Sequence, residues 1–343
     1  MTSDNAAMGI VLCLLAGCAG AFVFAQIGMP AAALTGSALA VSLVCLAGAR
    51  MELPALWRDL LFLVLGINIG SGATSETLQA AVKWPLTISI LSLSVIATLL
   101  LSRWVLSRKL GYDRTTAMLA STPGHLSFVL GIATDRNIDT TPIAIIQSTR
   151  VLFITLVVPV VVTWGFGDSL PGLTPVENMS LWHLAGLAIA AVGLGWVFQR
   201  LHFPAAYLLA GMVVSAAGHM SEITPGGLPW VMQTGAMVAM GALIGSRYSG
   251  VSGRDLRKAL MGGLCVTSVG FAVTLLCVAI SAWFLDISIP LLLIAFVPGG
   301  VEGMAAIAIL LGMDPAFVAA HHLSRLFILS LIMPIWAKRT LSR

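Results

Sequence analysis

Two arginines pose the chemical problem of this chain. Arg150 and Arg325 each lie about nine residues inside a long apolar run. An arginine at that depth in a bilayer costs ~2.5–3.5 kcal/mol on insertion scales, so each needs compensation. The planar guanidinium fork suits a carboxylate, which makes one reading an anion-binding pair. The other reading is a clamp, in which each arginine ties down a nearby chain reversal through its carbonyls. Such reversals are present as Ser121-Thr122-Pro123-Gly124-His125 and Val297-Pro298-Gly299-Gly300-Val301-Glu302-Gly303. Proline removes a backbone donor and glycine permits turns that a helix forbids. Gln147, Ser148 and Thr149 stand just before Arg150, and His321 and His322 just before Arg325. Pro123, Gly124, His125, Gln147, Arg150, Pro298, Gly299, Gly300, Glu302, His322 and Arg325 are therefore the candidate substrate-binding set. Glu302 can pair with Arg325 or take a proton or cation. His125, His321 and His322 are either proton relays or plain hydrogen-bond partners of neighbouring helices. Asn68, Ser71 and Ser246 offer oxygen atoms to sodium, but they stand beside Gly-x-x-x-Gly spacings that favour close helix packing.

These residues occur in a duplicated frame. Gly66-x-x-x-Gly70-Ser71 returns as Gly241-x-x-x-Gly245-Ser246, shifted by 175 positions. Pro123-Gly124 returns as Pro298-Gly299, Asp139 as Asp314, Arg150 as Arg325 and Pro159 as Pro334, all at that same shift. Glu302 falls opposite Ser127, so the carboxylate is not duplicated. Matched helix breakers and matched buried charges in a doubled membrane unit are the pattern of a secondary transporter.

The elements that must carry this frame are membrane helices. The chain is 58% hydrophobic and 9% charged, with a mean hydropathy of +0.99. A soluble domain carries about 25% charged residues. Apolar runs lie at about 8–27, 30–48, 59–72, 84–106 and 142–165, and again at about 181–199, 204–218, 229–246, 258–284 and 316–337. Broken stretches at 115–134 and 288–311 complete each half. Each arm of a broken stretch has roughly ten residues and reaches about 15 Å, half the apolar core of a bilayer. The chain can enter to mid-depth, unwind at Pro-Gly and return. Backbone of that kind is tolerated only inside protein or against a watery cavity.

Charge sets the orientation. Arg103, Arg108, Lys109 and Arg114 follow the fourth run of the first half, whereas Arg247, Arg254, Arg257 and Lys258 precede the fourth run of the second. If basic loops stay in the cytoplasm, the two halves point in opposite directions, which needs an odd number of crossings in each. The expected fold is an all-α polytopic membrane protein of two inverted repeats. Each repeat has about five transmembrane helices plus one re-entrant Pro-Gly hairpin. Residues 1–165 form the first repeat, 166–180 a periplasmic linker and 181–343 the second. Both termini fall in the cytoplasm of a bacterial inner membrane, and the first run is a permanent helix rather than a removed signal.

No HExxH, GxSxG or phosphate-binding GxxxxGK[ST] is present, and the five cysteines have no CxxC spacing, so enzyme chemistry, metal and cofactor are not expected. The net charge of +4 comes from short loops and does not indicate nucleic acid. At its motifs the chain resembles the AbrB-type integral membrane family. The resemblance rests on Met29-Pro30-Ala31-Ala32 and Phe203-Pro204-Ala205-Ala206, the Pro-Gly tips, Gln147-Ser148-Thr149-Arg150 and His321-His322-Leu323-Ser324-Arg325. In the first tip His125 stands where that family's second Gly usually lies. The family is often labelled an ammonia monooxygenase or a regulator of gene expression, and it is similar to the superfamily of cation/proton antiporters and anion transporters. The expected function is secondary transport of a small organic anion by alternating access around the two tips, Arg150 and Arg325, coupled to protons or sodium, with the lipid bilayer as surroundings and a homodimer as an allowed assembly. The competing implications are a membrane oxygenase subunit and a membrane sensor that acts on gene expression.

Overall fold

The computed structural model describes residues 3–51, 54–73, 81–124, 126–167, 170, 177–251 and 253–341. The first half gives α1 (Ser3–Gln26), α2 (Ala32–Leu46), α3 (Ala55–Ser71), α4 (Trp84–Arg108), α5 (Arg114–Ser121), α6 (Leu126–Asp135) and α7 (Thr140–Phe166). The second gives α8 (Leu181–Arg200), α9 (Ala206–Met220), α10 (Trp230–Ser246), α11 (Gly253–Phe284), α12 (Ile289–Phe296), α13 (Val301–Leu310) and α14 (Pro315–Leu341). Six of these helices are long and apolar enough to cross a membrane. The chain is an all-α polytopic membrane protein.

The duplication extends to the helix boundaries. α3, α5, α6 and α7 return as α10, α12, α13 and α14 with both ends shifted by the same interval as the sequence landmarks. The start of each second helix repeats too: Ala31 and Ala205 both hold left-handed backbone, at φ 53° and 50°. That conformation costs an L-residue roughly 1–2 kcal/mol, and it follows a proline in both halves.

Glycines let the halves interlock. α3 packs on α9, and reciprocally α10 packs on α2. A Cβ at Gly66 would collide with the Leu208 carbonyl, and one at Gly241 with Ser37 Oγ and the Leu34 carbonyl. Gly70 and Gly245 abut α9 and α2 in the same way. Close approach is the role of these Gly-x-x-x-Gly pairs. Ser215 on α9 then donates 2.8 Å to the Ile67 carbonyl of α3.

The two halves run antiparallel. The first turn of α3 (Ala55, Arg58, Asp59) and the C-terminal end of α10 (Leu243, Arg247) line one cavity. The loop before α3 also donates from Met51 N to Ser249 Oγ, in the loop after α10, at 3.0 Å. Lys258, near the start of α11, lies over the Tyr112 ring, in the loop after α4, at 4.4 Å. The loops after α2, α4, α8 and α10 thus share one face, and that face carries the basic clusters. At the opposite face Asn178, before α8, bridges to Gly227, before α10. Residues 168, 169 and 171–176, the greater part of the expected linker, lie outside the described residues.

Candidate substrate cavity

The broken stretches fold as paired short helices, α5–α6 and α12–α13. Where α5 and α12 stop, their last carbonyls have no helical partner. At mid-depth no bulk water replaces it, so side chains must donate. Gln147 Nε2 donates to Leu119 O at 3.0 Å and Arg150 Nη1 to Thr122 O at 3.0 Å. In the second repeat His322 Nε2 donates to Ile294 O at 3.0 Å and Arg325 Nη1 to Val297 O at 3.1 Å. These are the same two bonds at repeat-equivalent positions, made by Gln and Arg in one half and by His and Arg in the other. A cation beside the C-terminal end of a helix is also favoured by the helix dipole.

The second clamp has additional bonds. Arg325 Nη2 donates to Gly299 O and to His322 Nδ1, the latter at 2.8 Å. A carbonyl only accepts and a guanidinium only donates. His322 therefore carries its proton on Nε2 and is neutral. It sits fully buried behind Arg325 rather than in the cavity. Both arginines are 1% exposed, and in each the Nε–H has no partner among the described residues.

A cavity of about 740 Å³ reaches the tips from the basic face. Gly124, Gln147, Arg150, Gly299, Gly300, Glu302 and Arg325 line it together, so most of the residues singled out in the sequence converge. Pro123, Pro298 and His322 are not on its wall; Pro298 abuts Gly270 instead. His125 lies outside the described residues. The starts of α6 and α13 reach the wall through Leu126, Val301 and Glu302. Their free N–H groups and positive dipole ends lie at the site.

Glu302 pairs with Arg247 at 3.9 Å rather than with Arg325. Arg247 was legible in the sequence only as a loop charge, yet it lines the cavity. So do Arg58, Asp59, Gln199, His202 and Tyr207, which the sequence did not single out. For Gln199, His202 and Tyr207 the one signal is the adjoining Phe203-Pro204-Ala205-Ala206 motif, whose Ala205 holds left-handed backbone; Arg58 and Asp59 had none.

Ser71 and Ser246 are not brought together. Each hydroxyl bonds back into its own helix, to Asn68 O at 2.8 Å and Leu243 O at 3.0 Å. Because α3 and α10 are antiparallel, the two serines lie about a 17-residue helix length apart, roughly 25 Å. Asn68 Nδ2 is buried without a partner among the described residues.

Toward the opposite face aromatic side chains pack against one another. Trp84 opens α4 and Phe317 opens α14, and their rings meet edge-on with centroids 5.8 Å apart. His321 stacks on Phe317 at 4.1 Å, and its Nε2 lies 2.6 Å from Thr87 Oγ1. Among the described residues no three His, Cys, Asp or Glu side chains come together to hold a metal ion.

Comparison with known proteins agrees with this frame. The family model described as "Transition state regulatory protein AbrB" matches residues 34–340. A Bacillus subtilis (strain 168) protein named "Uncharacterized protein YhjN" is 27% identical over 298 residues, covering 81% of this chain and 77% of its own. The Escherichia coli (strain K12) protein named "Putative regulator AbrB" is 26% identical over 326 residues, covering 92% of this chain and 91% of its own. A match running from α2 to the last turn of α14 takes in both Pro-Gly tips, both arginines and the whole cavity wall: this chain belongs to the AbrB family.

Proposed function

We propose that the protein is a secondary transporter that carries a small organic anion by alternating access, with proton or sodium coupling. The observation that supports it most is the convergence of two inverted tips, their helix starts and two buried arginines on one cavity that reaches them from a single face. Inverted repeats, broken helices and a binding site at mid-depth are the ingredients of such carriers. Packed aromatic rings on the far side of the tips supply the closed half of the cycle. In this reading Arg150 and Arg325 hold the anion, and Glu302 takes the coupling proton or cation. The basic face is turned to the cytoplasm of a bacterial inner membrane.

A thermal-shift screen of the detergent-purified protein tests this. Small carboxylates, amino acids and ammonium are offered with and without sodium, at two pH values. A ligand at a hundred times its dissociation constant adds ~2.7 kcal/mol to the native state, a visible shift. A carboxylate hit that disappears in an Arg150 variant is the expected outcome. Silence from every anion contradicts the proposal and favours a sensor, the role suggested by the family's description and by the name of the Escherichia coli relative.

A further inference from the structure

The charge on the cavity wall narrows the substrate class. Among the described residues four arginines and two carboxylates line it: Arg58, Arg150, Arg247, Arg325, Asp59 and Glu302. Two of the arginines have acid partners. Arg58 holds Asp59 at 3.1 Å and Arg247 holds Glu302 at 3.9 Å. Arg150 and Arg325 have no acid within ion-pair distance among the described residues, although the field of Glu302 reaches Arg325; their hydrogen-bond partners are carbonyl oxygens and a neutral histidine. The helix dipoles do not make up the difference. At each tip one helix ends and the next begins, so roughly half a negative and half a positive charge meet and cancel. The guanidinium at each tip then keeps its full charge. Among the described residues two positive charges therefore remain without an ion-paired acid, both 99% shielded from solvent. Each also keeps an Nε–H with no partner among those residues.

Resting on the transport reading above, we propose that the substrate is a dianion with two carboxylates, one facing each tip, so that the loaded site is electrically neutral. A monocarboxylate leaves one charge buried and unpaired at mid-depth, where such a charge is costly. Neutrality of the loaded site also explains why the clamps use arginine, whereas Gln147 makes the same type of carbonyl bond without charge.

The test uses pairs of equal carbon number: succinate against butyrate, and glutarate against pentanoate. Binding to the full chain in detergent is measured by titration calorimetry. At least one dicarboxylate is expected to bind with a dissociation constant about tenfold or more below that of its partner. Arg150→Gln keeps a donor for Thr122 and removes one charge. It is expected to bring the two constants within about threefold while the melting point stays near that of the parent chain. Equal binding of both members of a pair overturns the dianion and leaves anion transport standing. Binding of no carboxylate at all overturns both.

Discussion

At the first tip Arg150 commits one nitrogen, Nη1, to one carbonyl; at the second Arg325 commits two, to Val297, Gly299 and His322. The helix ends around them match, but the turns differ: Gly124 holds left-handed backbone at φ 92°, and its counterpart Gly299 does not. The repeat therefore preserves the helix ends and varies the turn and how much of the guanidinium it consumes. Arg325, with both terminal nitrogens engaged, holds more structure and keeps fewer donors for a ligand than Arg150, which has one engaged. The first tip is accordingly the softer and more ligand-facing of the two. The second, with its neutral histidine wedge and the acid at the start of α13, is the anchor.

The largest effect is expected from Arg325→Ala. It strips the donor from Val297 O, Gly299 O and His322 Nδ1 together, and each buried group left unsatisfied costs ~1–3 kcal/mol. A marked loss of melting temperature, or of folded protein altogether, is the expected result. A fully stable Arg325→Ala chain contradicts the anchor. Arg150→Ala orphans one carbonyl and should cost only ~1–3 kcal/mol, yet it should remove anion binding. Measured side by side, the two variants break the comparison if they lose stability equally.

Overpacking the interlocked glycines tests the equality of the frame rather than the difference of the tips. Gly66→Ala and Gly241→Ala both press a methyl group into facing backbone, and each is expected to cost ~1–3 kcal/mol. Gly193→Ala, where nothing lies within 4 Å, should be neutral or slightly stabilising on the same melting assay. The smallest effect belongs to the exchange of wedges. Gln147→His and His322→Gln each keep a side-chain donor for the carbonyl at Leu119 or Ile294. Each should shift stability by no more than about one hydrogen bond, ~0.5–1.5 kcal/mol. A large loss from His322→Gln would show that the imidazole does more than donate and accept.

The frame was readable in the sequence because helix breakers and buried charges stand out against an apolar background. The constant interval from Gly66 to Gly241 and from Arg150 to Arg325 located both tips and matched the helix ends. The asymmetric basic clusters indicated the inversion, which the shared wall of α3 and α10 makes visible. What stayed hidden depends on three-dimensional partners. Nothing in the local sequence tells that Arg247 meets Glu302, 55 residues away, instead of leaving that acid to Arg325. The protonation of His322 follows from two contacts on different elements, and no spacing encodes both. Clamp and ligand were left as alternatives for the arginines. The geometry shows the clamp bonds in both halves, and among the described residues it leaves an Nε–H on each arginine without a partner.

The most direct test of the account is counterflow of labelled succinate and glutarate into proteoliposomes, comparing the parent chain with Arg150→Gln of matched melting temperature. The account predicts uptake above empty liposomes for at least one of the two with the parent chain, and uptake lower by about tenfold or more with the variant. Uptake by Arg150→Gln at the parent rate would contradict it, because the softer tip would then have no part in holding the anion.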